Sequence, residues 1–397
     1  SGVMQHLSPA RLRAPLRRVG PRGEGAFEEI TWEEALNTAV EWLGPLRAQA
    51  PEKLAFFTGR DQSQSFTGWW AQAFGTPNYA AHGGFCSVNM AAAGIYTMGG
   101  AFWEFGQPDW EHTRLLMLFG VAEDHDSNPI KMGLGRIKAR GARVIGVNPV
   151  RSGYNAIADD WVGITPGSDG LFIMALAQEL MAAGRIDLDY LARFTDAPCL
   201  VDEREGAQKG LLLRNAAGVV QVIDRRTGQP ADWDAPGVEP DLAAAWTDAQ
   251  GVTHRPVLHH LAARILAPEH APERVAGRCG IPAERIRSIA AELARVAFDE
   301  AVRIAQPWTD FRGNRHDFMI GRPVSFHAMR GVSAHSNGFQ TARALHVLQI
   351  LLGAVEVPGG FRFKPPYPRP ASAHPRPHGD ARPGAALAGP HLGYPQG

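Results

Sequence analysis

Apolar positions along the chain fall into three patterns. Trp32, Ala35, Leu36, Ala39, Val40 and Leu43 recur at helical spacing behind Thr31 and Glu34, a capping-box pair, and predict an amphipathic helix. KLAFFTG from Lys53 predicts a short strand ending at Gly59, and the aromatic run through Trp70 and Phe74 a second helix. Between 113 and 183 the pattern changes. RLLMLFGV and ARVIGV are wholly apolar runs of strand length, separated by the polar loop AEDHDSN and by PIKMGLGRIKAR, which begins at Pro129 and ends before Gly141. That is a βαβ unit with a parallel sheet. The strand WVGI follows, then TPGSDG, whose Ser168 and Asp169 are placed to cap the helix GLFIMALAQELMAAG.

Residues 200–256 carry short strand-like runs around the AAG and RTG turns, a small β-rich insertion. Helices resume at PVLHHLAARIL and PAERIRSIAAELARVA, followed by the strand AVRIAQP and the polar segment WTDFRGNRHDFMIGRP. Residues 331–360 join a glycine- and histidine-rich loop to an apolar helix and a Gly-Gly stop. Beyond Lys364 the sequence is rich in Pro, Ala and Gly without apolar period, which predicts an extended segment. The organisation read from this is 1–112, a leading segment that includes Cys86; 113–199, a Rossmann-like unit; 200–256, the β-rich insertion; 257–363, a helical and α/β return; and 364–397, a Pro/Gly-rich tail. The fold class is α/β.

Composition narrows the partners. Forty Lys plus Arg balance forty Asp plus Glu, so net charge offers no case for nucleic acid. No run reaches the roughly 18–20 apolar residues that span a bilayer, so direct membrane insertion is not expected. The amino end is basic and Pro-rich without the apolar core of a secretory signal. It opens on Ser1, which reads as a piece of something longer. Three cysteines without a CxxC argue against a disulfide framework and against a self-contained zinc site, and point to a reducing compartment.

Cys199 and Cys279 read as small core hydrophobes. Cys86 differs, because in HGGFCSVNMAAAG it follows Gly83 and Gly84, which allow close backbone approach, and precedes a helix of small residues able to pack beneath a bulky cofactor. It is either a nucleophile with His82 as base, or a ligand to a thiophilic metal whose other ligands come from a cofactor. Spacing does not decide between them. Parallel sheets bind ligands at the carboxyl ends of their strands, where helix amino termini face phosphates. Gly120–Asn128, Asn148–Arg151 and Thr165–Asp169 form such an edge, and without a GxGxxG it is not an ordinary NAD site. Arg312, Arg315, His316, Arg322, His327, Arg330 and His335 cluster in sequence and suggest an oxyanion site.

Several segments together resemble the molybdopterin oxidoreductases of the dimethyl sulfoxide reductase type: RLRAPLRRVGPRGEGAFEEITWEEAL, GTPNYAAHGGFC, IGVNPVRSGYNAIADDWVGITPGSDG and AHSNGFQTARALHVLQILLGAVEVPGG, in that order. The resemblance implies part of a multi-domain molybdopterin oxidoreductase fold. It implies Cys86 as the protein ligand to molybdenum carried by two molybdopterin guanine dinucleotides. Contacts to the dinucleotides would come from Gly120, Ala122, Glu123, Asp124, Asn148, Pro149, Arg151, Pro166, Gly167, Asp169, Gly331, Asn337 and Gly338. The 4Fe-4S cluster of such proteins would belong to an amino-terminal segment absent from this chain. GGFCSVNMAAAG, GVAEDHDSNPIKMG and WTDFRGNRHDFMIGRPVSFHAMRGVSAHSNG are most similar to catalytic subunits of membrane-associated sulfite dehydrogenases.

That similarity implies sulfite oxidation to sulfate on the cytoplasmic side. Its implied partners are an iron-sulfur electron-transfer subunit plus a membrane quinone-reacting subunit. Arg60, His82, Arg330 and His335 would surround a small oxyanion substrate. The alternatives are a thiosulfate or polysulfide reductase, a formate dehydrogenase or nitrate reductase-like enzyme, and an inactive, cofactor-free fragment.

Overall fold

The computed structural model describes residues 2–59, 64–81, 88–100, 106–121, 130–311, 313–328 and 330–363. The chain divides into two compact units, one within residues 1–85 and a larger one within residues 86–368. In the smaller unit, Leu16–Arg18 pairs antiparallel with Phe27–Glu29, and Phe56–Thr58 pairs parallel with Tyr79–Ala81. The expected capping box closes in both directions: Glu34 N–H donates to Thr31 Oγ1 (3.1 Å) and Thr31 N–H to Glu34 Oε2 (2.8 Å). The helix it starts, Trp32–Gln49, runs on through Pro45.

The larger unit is built on a four-stranded parallel sheet. Its strands are β1 (Leu115–Phe119), β2 (Arg143–Val147), β3 (Asp160–Val162) and β4 (Val324–Ala328), in the order β4-β1-β2-β3. Helix α1 (Val88–Met98) precedes the sheet, and α2 (Ile130–Ala139) crosses from β1 to β2. α3 (Asp169–Ala182) follows β3, and α4 (Leu188–Phe194) follows α3. α5 is Ala283–Ala294, and α6 (Gly338–Leu351) comes after β4. Alternation along the strands sends Leu115, Met117, Phe119, Val324 and Phe326 into a core with Phe172, Leu176, Ile289, Leu293 and Leu345. Leu116, Leu118 and Val144 face a second core with Ile130, Leu134 and Ile137. A sheet apolar on both faces and clad by helices on each is what wholly apolar strands require.

β4 corrects the sequence reading. VSFHA sits inside the expected basic, histidine-rich cluster, yet all five residues are buried in the sheet. The cluster itself disperses. Arg322 pairs with Asp187 (2.6 Å) and lies over the Phe298 ring. His316 pairs with Asp310 and stacks on Trp308, and His327 lies in β4; Arg312 lies outside the described residues. The polar segment 308–321 is itself strand-forming. Trp308–Thr309 pairs with Arg315–His316, and Met319–Gly321 pairs with Val302–Ile304. An unanticipated helix, Pro272–Cys279, ends on Gly280 in the left-handed conformation.

The β-rich insertion is a hairpin, Gln221–Asp224 with Gln229–Asp232, flanked by isolated bridges. Cys199 and Cys279 are buried as expected, and burial pushes the Cys279 thiol up. No helix among the described residues is long and apolar enough to cross a membrane.

Candidate functional site at the carboxyl edge of the sheet

Because β1, β2, β3 and β4 are parallel, their carboxyl ends share one edge. Gly120 follows β1, Asn148–Arg151 follow β2, Pro166–Asp169 come after β3, and Arg330–Gly338 follow β4. Adjacency of β4 and β1 brings Gly331 against Gly120. A Cβ on Gly331 would stand 2.6 Å from the Gly120 carbonyl oxygen, and Gly120 has φ +62°, so glycine is needed on both sides of this contact.

Two helices begin at this edge, α3 at Asp169 and α6 at Gly338. They pack together at their starts, with a Cβ on Gly170 standing 3.0 Å from Thr341 Oγ1. The Asn337 amide donates to the Gly167 carbonyl (3.0 Å) and ties the two loops. Neither Ser168 nor Asn337 caps its helix with its side chain. Ser168 Oγ instead donates to the Thr165 carbonyl (2.6 Å), which corrects the expected cap. Two adjacent helix amino termini form a natural anion site.

Asp169 is the recessed carboxylate of the edge, 7% exposed. Burial raises its pKa, opposed by its own backbone N–H and by the nearby His335. His335, Asn337, Arg151 and Pro166 are exposed around it, as are Pro149, Arg330 and Gly331. Asn148 is buried, and its Oδ1 accepts from Val150 N–H (3.1 Å), shaping its own loop.

Two positioning residues carry no sequence signal of their role. Asn155, fully buried, donates to the Val121 carbonyl (2.9 Å) and locks the loop after β2 to the end of β1. A Cβ on Gly146 would clash with its Oδ1, so Gly146 makes room for it. Asn89, in the first turn of α1, donates to the Ser333 carbonyl (2.8 Å). This fastens the helix that follows Cys86 to the loop that follows β4.

Arg60, His82, Cys86, Ala122, Glu123 and Asp124 lie outside the described residues. The small residues after Cys86 pack closely within the protein. Ala91, Ala93 and Gly94 are buried by the protein itself, with Phe363 and the Gly100 carbonyl against Gly94, and α1 packed along α6.

The edge offers the starts of two helices and a recessed carboxylate, Asp169, beside the Asn337–Gly167 tie, and such an edge is where parallel sheets take phosphate-bearing ligands.

Comparison with known proteins is consistent with this. The chain is 47% identical over its whole length to a sulfite dehydrogenase subunit of Allochromatium vinosum, of which it spans 42%. It is 29% identical to Thiosulfate reductase molybdopterin-containing subunit PhsA of Salmonella typhimurium, over 49% of this chain and 26% of that one. Acetylene Hydratase from Pelobacter acetylenicus shares the fold, with TM-score 0.57 and 18% identity, over 91% of this chain and 38% of that one. Residues 11–390 match the family described as Molybdopterin oxidoreductase. The chain belongs to the molybdopterin oxidoreductase family.

Proposed function

We propose that this chain is part of the catalytic subunit of a molybdenum enzyme that oxidises sulfite to sulfate. In the net reaction water supplies one oxygen, and two protons and two electrons are released. Full-length identity of 47% to a sulfite dehydrogenase subunit supports the substrate. The observation that carries the reading is the Asn89–Ser333 hydrogen bond. It holds the helix two residues beyond Cys86 beside the loop where the α3 and α6 amino termini meet, so a thiolate at 86 and a dinucleotide on the sheet edge can serve one cofactor.

Molybdenum with two molybdopterin guanine dinucleotides would supply the two-electron redox chemistry. Cys86 would be its protein ligand. The amino termini of α3 and α6 would bind phosphate oxygens, and Asp169, ionised when it accepts base N–H groups, would orient a guanine. Gly120 and Gly331, whose mutual contact sets the edge, would border the dinucleotide together with Asn148, Pro149, Arg151, Pro166, Gly167, Asn337 and Gly338. Ala122, Glu123 and Asp124 belong to the same proposal. Arg60, His82, Arg330 and His335 would hold the oxyanion through charge-assisted hydrogen bonds.

Electrons would leave through a 4Fe-4S cluster carried outside this chain, to an iron-sulfur subunit, then to a membrane quinone-reacting subunit. The assembly would be cytoplasmic and membrane-associated through those partners. Matches to a thiosulfate reductase subunit favour, as second reading, reduction of thiosulfate.

Replacing Cys86→Ala in the complete enzyme tests the central assignment. Molybdenum content and sulfite-dependent reduction of an artificial acceptor are measured together. Loss of turnover is expected, and unchanged turnover at full metal occupancy would refute the assignment. Turnover with thiosulfate and a reduced donor but not with sulfite would favour the second reading.

A further inference from the structure

Cys279 is buried, as a small core hydrophobe would be, yet its contacts go beyond packing. The helix Pro272–Cys279 ends against the loop Thr165–Asp169 at the carboxyl edge of the sheet. Thr165 N–H donates to the Cys279 carbonyl (2.9 Å). A Cβ on Gly280, which has φ +71°, would stand 3.1 Å from Thr165 Oγ1, so glycine lets the turn after Cys279 lie close to the start of the loop.

The side chain reaches the other end of the same loop. Cys279 Sγ lies 3.7 Å from the Ser168 carbonyl oxygen, a hydrogen bond for a thiol donor. Burial pushes the thiol up, and the Asp169 carboxylate nearby acts in the same direction, so Sγ keeps its proton at neutral pH and donates. The same carbonyl accepts from Phe172 N–H (3.2 Å) as α3 begins. Between the two fixed points, Ser168 Oγ closes the turn on the Thr165 carbonyl.

A carbonyl and the N–H of the next residue share one rigid plane. A donor on the Ser168 oxygen therefore also orients Asp169 N–H, which is hydrogen-bonded to the carboxylate of its own residue. We infer, on the reading of this edge as a guanine dinucleotide site, that Cys279 is a positioning residue. Its thiol sets the Ser168–Asp169 peptide plane, and through it the direction in which the Asp169 carboxylate meets the base.

Valine and threonine fill the same space, and only threonine carries a donor. Were Cys279 a packing residue alone, valine would be the better substitute, because a buried hydroxyl without a partner is costly; a positioning thiol reverses that order. The test is calorimetric titration of the full 397-residue chain with GDP, which carries the guanosine and both phosphates of the dinucleotide, with circular dichroism to show the fold retained. Cys279→Val should weaken GDP about fivefold, the ratio that one hydrogen bond of about 1 kcal/mol represents, and Cys279→Thr should stay within about twofold of the parent. Cys279→Ala removes the donor without adding bulk; it should match the valine variant and stands in for it should valine not fold. GDP bound equally by the valine and threonine variants, or more tightly by valine, would overturn the positioning role. No GDP binding by the parent chain would refute the dinucleotide edge itself, and the role of Cys279 with it.

Discussion

Replacing Gly331→Ala probes the contact that joins the ends of β1 and β4 at the carboxyl edge of the sheet. The new methyl would stand 2.6 Å from the Gly120 carbonyl oxygen, 3.2 Å from its Cα and 3.3 Å from its carbonyl carbon. All three are backbone atoms, so no side chain can swing away, and one strand end must retreat by several tenths of an ångström. Overpacking of this kind costs about 1–3 kcal/mol. Alanine in the short helix Arg330–Ser333 returns up to about 1 kcal/mol. The net is a loss of about 1–2 kcal/mol, or a melting temperature lower by roughly 1–3 °C in a chain of this size.

The control is the same substitution at Gly135, inside α2, where a Cβ meets nothing within 4 Å. There helix propensity acts alone and stability rises by up to about 1 kcal/mol. Thermal unfolding of both variants by circular dichroism decides the matter. If Gly331→Ala raises the melting temperature as Gly135→Ala does, the ends of β1 and β4 are not in contact and the edge as described is wrong.

Three further outcomes follow from individual residues. Asp169 has a raised pKa because it is buried, so its stabilising contribution is present below the ordinary value of 3.8 and is lost as pH rises through its folded-state value. Asp169→Asn should therefore gain stability over the parent at pH 7 but not at pH 3, by urea unfolding of the cofactor-free chain; an equal difference at both would contradict it. His346, held neutral by burial with its pKa lowered to about 3 from 6.5, makes stability fall as pH drops from 6.5 towards 3, by about 1.4 kcal/mol per pH unit. His346→Leu should remove that slope, and an unchanged slope would mean that another group titrates. Asp187→Ala strands Arg322, whose side chain is 16% exposed, and removes the Asp187 Oδ1 cap on Tyr190 N–H. The cost is about 2–3 kcal/mol, discounted from a fully buried pair for partial exposure, and adding Arg322→Met should recover part of it in a double-mutant cycle.

The βαβ unit was legible in the sequence because wholly apolar strands such as RLLMLFGV and ARVIGV have no other stable home. The capping box of Thr31 and Glu34 was legible because both of its bonds are local. β4 was not. Ser325 and His327 interrupt its apolar run, and its partner β1 lies some 200 residues earlier, so nothing nearby in sequence announces the pairing. For the same reason the Arg and His residues from 312 to 335 read as one cluster, although a strand through the middle sends them to different neighbours. Gly120, Asn148–Arg151 and Thr165–Asp169 follow parallel strands and so lie at one edge of the sheet, as their positions after apolar runs predicted. What escaped was their fastening by Asn89 and Asn155, whose side chains act on carbonyls remote in sequence and look like any polar residue until the fold is known.

That β4 completes the sheet has a consequence for how the protein is made. Pairing it with β1 closes a loop of some 200 residues, an entropic cost of about 5 kcal/mol that is met before any contact offsets it. On the ribosome, β1, β2 and β3 emerge long before β4, so β1 waits with an unpaired edge while the β-rich insertion and the helices after it are still being synthesised. Slow assembly and a need for chaperone cover during that interval follow from the position of one five-residue strand.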